Sequence, residues 1–208
     1  MSNLQIILLK DTFNTCLFLS KHSPNYVKKG RIPLKNHIAL FEPLMPANTG
    51  NISRTCAATN STLHLIHPLG FSTDDKMLKR AGLDYWHNVD IVEHDNLEAF
   101  LSYVGERKLY LITKFAPQIY SEADLAQNES NEQFFLFGKE TTGLPVELME
   151  AHKNDSLRIP MNDEHVRSLN LSNTANIIIF EALRQQQWQG LEAIHHYDDT
   201  DKAKDLNW

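Results

Sequence analysis

Two cysteines in 208 residues, Cys16 and Cys56, are too few for a disulfide framework and fit a reducing compartment. No apolar run approaches the roughly 18 residues that a membrane span requires. The early apolar pieces, residues 6–9 and 16–19, are broken by Lys10 and Asp11 and precede no small-residue cleavage site, so the start does not read as a secretory signal. Basic charge is scarce: 20 Lys and Arg face 26 Asp and Glu, for a formal net charge of −6. Any nucleic-acid site must therefore be a local basic patch on an acidic molecule. GxGxxG, the GK[ST] ending of a P-loop and GxSxG are all missing, which disfavours dinucleotide, P-loop and hydrolase chemistry. Ten histidines are present, yet "HLIH" (64–67) and "HH" (195–196) have neither two-turn helical spacing nor cysteine partners, so no metal site is expected.

What is present is a core. Hydrophobic residues make up 42% of the chain, enough for one ordinary domain. "HIALFE" (37–42), "TLHLIHP" (62–68), "VDIVEH" (89–94), "RKLYLIT" (107–113), "EQFFLFG" (132–138) and "SLRIP" (156–160) read as short buried strands. Helical segments are predicted over 48–60, 74–82 and 95–105, the last capped by Asp95, with a long closing helix from 172 to about 188 capped by Ser172 or Asn173. Residues 121–132 read as a polar loop. Strands alternating with helices predict an α/β domain with a mainly parallel sheet. The domain is expected over 37–190, after an irregular or partly disordered extension (1–36) and before a charged tail (191–208).

In such sheets ligands sit beyond the carboxyl ends of the strands. Three of those ends are polar or glycine-containing: "LITK" (111–114), "FGKETTGLP" (137–145) and "IPMNDEHVRSLNLSN" (159–173). Gly138 reads either as an ordinary strand-to-helix turn or as a place where backbone meets ligand without a Cβ between them. In the third stretch Ser168, Asn170, Ser172 and Asn173 crowd a helix start, offering hydroxyls, amides and free N–H groups to a polar ligand. A fourth stretch, "NTGNISRTCAATN" (48–60), opens a helix with side-chain amides and hydroxyls and then presents a single cation, Arg54.

"NTGNISR", "FGKETTGLP" and "IPM…SLNLSN" together resemble the three motifs of the SPOUT class of RNA methyltransferases. The likeness is strongest to the tRNA 2′-O-methyltransferases that act on the wobble nucleotide, position 34. "FEPLMPANTGN" and "GFSTDDKMLKRAGLDYW" also resemble that subfamily, and the likeness covers about 37–189. It implies an α/β fold tied C-terminally in a trefoil knot, with S-adenosyl-L-methionine held by backbone groups of three loops. Carried onto this chain, those groups belong to Leu111, Ile112 and Thr113; to Gly138, Lys139 and Glu140; and to Ile159 and Met161 with Ser168 and Leu169. The same resemblance implies that Arg54 is catalytic, aimed at the ribose to be methylated, with Asn48, Ser172 and Asn173 as positioning members of that group. A guanidinium stays protonated, so donating to phosphate and to the developing oxyanion suits it better than removing a proton. Relatives are homodimers acting on the tRNA anticodon loop, and a cytoplasmic protein is expected. Lys76, Lys79 and Arg80, with Tyr85 and Trp86 close behind and Arg167 in the third loop, are candidates for RNA contact; a solvated helix face followed by core aromatics is the alternative. Phe180 stands where a tyrosine is expected. Ribosomal RNA as substrate, or a binding factor without catalysis, are the competing functions.

Overall fold

The computed structural model describes residues 33–72 and 88–192, all within one folded unit. The predicted helix 74–82, with Lys76, Lys79, Arg80, Tyr85 and Trp86, lies outside the described residues, as do the first 32 residues and the tail from 193.

Among the described residues seven strands form one sheet: β1 (Lys35–Phe41), β2 (Thr62–Ile66), β3 (Ile91–His94), β4 (Lys108–Ile112), β5 (Gln118–Ile119), β6 (Glu132–Phe137) and β7 (Ser156–Arg158). Every pairing is parallel, in the order β3-β2-β1-β6-β4-β7-β5. Among the described residues four α-helices cover it: α1 (Pro46–Thr59), α2 (Leu97–Val104), α3 (Val146–Ala151) and α4 (Leu171–Gln185). This is the expected α/β architecture. Strand ends moved by up to two residues, while β5 and α3, both very short, carry too little periodicity to be read from sequence.

The central strands read as continuous apolar runs because both faces are buried. Ile38, Leu40, Tyr110, Ile112, Phe135 and Phe137 point to one side and pack with Ile52 and Cys56 of α1 and Ala175, Ile178 and Ile179 of α4. Ala39, Leu109, Leu111, Phe134 and Leu136 alternate with them and face Phe100 and Val104 of α2 and Leu148 of α3. Cys56 is a core residue, and burial pushes its thiol up to about 12.

Two helix caps differ from expectation. α2 is capped by Asn96, not Asp95: the Asn96 side chain accepts from Ala99 N at 2.9 Å. α4 is capped by Asn170, two residues before Ser172 and three before Asn173, and its Oδ1 accepts from both their amides. In each case adjacent side chains have similar capping preference, so sequence alone does not choose between them.

Candidate active site

The carboxyl ends of β4, β6 and β7 open onto one cavity of about 870 Å³. Its lining brings together Ile112 and Thr113 after β4, Gly138 to Leu144 after β6, and Ile159, Met161 and Arg167 to Leu171 after β7. Met45 and Asn48 join them from the start of α1. Of the ten residues assigned to the cofactor from sequence, Ile112, Thr113, Gly138, Lys139, Glu140, Ile159, Met161, Ser168 and Leu169 line this space. The Leu111 side chain does not: alternation along β4 buries it fully on the face covered by α2 and α3, whereas the resemblance assigns its backbone.

The loop after β6 is shaped by its own backbone. Lys139 and Gly143 exchange hydrogen bonds, N to O at 3.2 Å and 2.8 Å, closing a tight turn with Gly143 at φ +76°. A Cβ on Gly138 would lie 2.4 Å from the Gly143 carbonyl carbon and 2.7 Å from its Cα. Gly138 is thus required by the turn folding back on itself, which is the first of the two readings offered by the sequence. Lys139 is held by Glu42, at the end of β1, through a 2.9 Å ion pair.

Glu140 is the hub. Its carboxylate accepts from Leu44 N at 2.9 Å, Met45 N at 3.2 Å and Asn48 Nδ2 at 3.1 Å. Those donors lead into α1, which has no side-chain cap of its own and carries Pro46 in its first turn. An acid borrowed from another loop supplies the negative charge that a helix N-terminus favours. Asn48 in turn accepts from Asn170 Nδ2 at 3.0 Å, and Asn170 Oδ1 accepts from Ser172 N, Ser172 Oγ and Asn173 N. One connected set of hydrogen bonds therefore ties the loop after β6, the start of α1 and the start of α4. Asn48, Ser172 and Asn173 sit in this set, and only Asn48 also lines the cavity. Thr55 adds a strut between α1 and α4, donating to Asn176 Oδ1 at 2.7 Å.

Arg54 is exposed on α1 and is not among the cavity-lining residues. Six residues beyond Asn48, at about 100° per residue, it leaves the helix on a different face. Arg167 lines the rim; its carbonyl accepts from Lys114 Nζ at 3.2 Å, which joins the loops after β4 and β7. Asn170 as hub and the rim pair Lys114 and Phe115 were not singled out from sequence. The only signal for Asn170 was its place in the polar cluster, and for Lys114 its place at the polar end of "LITK"; Phe115 carried none.

Among the described residues no helix is long and apolar enough to cross a membrane, and no group of three or more His, Cys, Asp or Glu could hold a metal ion. His67 pairs with Glu93 at 2.8 Å, whereas His64 is buried within the sheet face.

Residues 35–180 match the SpoU rRNA Methylase family. A tRNA (cytidine(34)-2′-O)-methyltransferase of Saccharophagus degradans is 43% identical over 155 residues, covering 74% of this chain and 97% of its own. A Lactococcus lactis relative, whose name proposes the same activity, is 57% identical over 170 residues, covering 81% of this chain and 99% of its own. A solved structure described as "Structural insights into the 2-OH methylation of C/U34 on tRNA" superposes with a TM-score of 0.67 at 39% identity, over 74% of this chain and 92% of that one. An AdoMet-bound rRNA methyltransferase of Sinorhizobium meliloti gives 0.64 at 25% identity, over 74% of this chain and 61% of that one. With its parallel sheet, its three converging loops and these relatives in agreement, the chain belongs to the SpoU rRNA Methylase family.

Proposed function

We propose that this protein transfers a methyl group from S-adenosyl-L-methionine to the ribose 2′-OH of nucleotide 34 of tRNA. The observation that carries the reading is the convergence of all three motif loops on one cavity, of the size of an ordinary cofactor site. The cavity's polar rim and open backbone groups fit a donor with an adenosine and an amino-acid end. Thr113, Gly138, Lys139, Ile159, Met161, Ser168 and Leu169 would hold it. When bound, the donor supplies an electrophilic methyl carbon on a good leaving group.

The chain's own task is then alignment and charge control. Glu140, Asn48 and Asn170 fix the loops against one another, so the walls of the pocket need little reorganisation at the moment of reaction. Arg54 offers a fork of charged donors suited to the phosphate beside the target ribose and to the oxygen as it gains negative charge. Because Arg54 lies away from the cavity of its own chain, we assign it to the site of a second copy in a homodimer. A trefoil knot through the cofactor loops and a cytoplasmic location belong to the same proposal.

Transfer RNA is favoured over ribosomal RNA by coverage. The Lactococcus and Saccharophagus relatives named for nucleotide 34 match this chain over 99% and 97% of their length, whereas the Sinorhizobium rRNA enzyme is covered over 61%. Lys79 and Arg80 would add phosphate contacts, and neutralising both should flatten the salt dependence of tRNA binding. The test is calorimetry with S-adenosylmethionine followed by nucleotide-resolution mapping of bulk tRNA after reaction. Stoichiometric binding and one new 2′-O-methyl group at position 34 are expected; binding without methylation would leave the non-catalytic reading.

A further inference from the structure

Phe115 is an anomaly on this surface. It is 73% exposed, more than any other large apolar side chain among the described residues, and it lines the cavity. An isolated exposed phenylalanine needs no explanation, but this one carries a cation against its ring and shares the cavity rim with a second. The Lys114 ammonium lies 5.1 Å from the ring centroid and is anchored to the Arg167 carbonyl at 3.2 Å. Arg167 is itself exposed on the rim. Among the described residues neither Lys114 nor Arg167 has a carboxylate partner, whereas Lys139 on the same rim is neutralised by Glu42. On a chain of net charge −6, this is a local positive spot built around an aromatic face. Local backbone holds the ring at the rim: Phe115 N donates to Thr113 Oγ1 at 3.4 Å and Ala116 N to the Thr113 carbonyl at 3.3 Å.

We propose that Phe115 is a stacking platform for an unpaired base of the RNA substrate, with Lys114 and Arg167 holding the flanking phosphates. This rests on the function proposed above and names the part of the site that meets the nucleic acid. A flat, accessible ring flanked by cations recognises single-stranded nucleic acid, because every base offers a π-face and every linkage a negative charge. Unpaired loop bases can splay onto such a ring, and duplex bases cannot. With most of its surface facing outward, the ring is placed to be covered by a ligand arriving from solvent. A donor enclosed by the three loops would sit behind it.

The test compares wild type with Phe115→Leu and Phe115→Trp, using S-adenosylmethionine and unmodified tRNA. The expected result for Phe115→Leu is a rise of roughly tenfold or more in KM for tRNA, the scale of one lost base–aromatic stack, with the Kd for S-adenosylmethionine unchanged. Phe115→Trp should restore the wild-type KM. Lys114→Gln should lower the salt slope of tRNA binding by about one ion. An unchanged KM in Phe115→Leu, alongside an active wild type, would overturn the stacking role alone. A raised Kd for S-adenosylmethionine would assign the ring to the cofactor and also overturn it, as would a shift of Phe115→Leu to a smaller species on size exclusion. A wild type that methylates no tRNA would overturn both this inference and the function on which it rests.

Discussion

Two chains of polar side chains link separate elements in this protein, and they are built in opposite ways. At the carboxyl ends of the strands, Glu140, Asn48 and Asn170 connect three loops through N–H groups that donate to side-chain oxygens. Within the sheet, on the face covered by α2, His37, His64 and His94 run diagonally across β1, β2 and β3. Their ring nitrogens lie 2.9 Å apart at both links. Phe134 stacks on His37 with centroids 4.2 Å apart, and Phe100 meets His64 and His94 edge-on. His37 Nε2 is buried with no hydrogen-bond partner.

The first chain borders water and a ligand cavity and uses a carboxylate whose charge is answered by backbone N–H groups. The second sits among aromatic rings and must stay neutral. Burial lowers His37 to about 4 and His64 to about 3, with each other's proximity and the Arg107 charge acting in the same direction on His64; burial lowers His94 as well. Glu132, which faces His37 and favours its charged form, is itself claimed by Arg107 at 2.6 Å. A polar chain beside a site can be tuned for ligand. One inside a sheet is confined to a single protonation state, which gives the fold an acid limit.

The comparison can be broken by substitution. Arg54→Lys should cost about 100-fold or more in kcat, the scale of losing one preorganised oxyanion donor, with S-adenosylmethionine affinity unchanged. Steady-state kinetics beside calorimetry read this directly, and near-normal turnover would remove Arg54 from the chemistry. Breaking the cavity chain should act differently. Glu140→Gln turns an amide towards N–H donors at the start of α1, so stability should fall by about 1.5–3 kcal/mol and cofactor affinity should fall with it. Urea unfolding and calorimetry together separate this from a purely local effect.

The histidine chain gives the pH prediction. Above the ordinary imidazole value of 6.5 both native and unfolded states are neutral and stability does not depend on these groups. Between about 6.5 and 4 the unfolded chain takes up protons that native His37 and His64 resist, so stability declines as pH falls, by about 1.4 kcal/mol per pH unit for each imidazole fully titrating. Urea midpoints from pH 7.5 to 5 should show the fall, and His64→Leu should make it shallower even though that variant is less stable at pH 7.5. The smallest effect separates neighbouring caps: Asn96→Ala should cost about 1 kcal/mol in thermal unfolding and Asp95→Ala close to nothing.

These differences also explain what was legible in the sequence. Apolar runs such as "EQFFLFG" announced a parallel sheet because both faces of β6 are buried. The loops of the site were visible as polar or glycine-containing strand ends, and their order made the family resemblance specific. What periodicity could not supply was pairing. That Glu140 reaches back 96 residues to Leu44, and Asn170 reaches 122 residues to Asn48, depends on strands that lie far apart in sequence and close in the sheet. His37, His64 and His94 looked like scattered residues for the same reason: each lies on a different strand, and only the register Ala39↔His64 and Ile66↔His94 brings them into line. Strand alternation buries the Leu111 side chain on the face covered by α2 and α3, while its assignment to the cofactor concerns its backbone.

The most direct test of the account uses two anticodon stem–loops that differ by one atom, a ribose and a 2′-deoxyribose at nucleotide 34, each incubated with the protein and methyl-labelled S-adenosylmethionine. Label should pass to the ribose form and none to the deoxy form. Equal labelling of both, or of neither while ribosomal RNA is labelled, would contradict a pocket built to deliver a methyl group to that sugar.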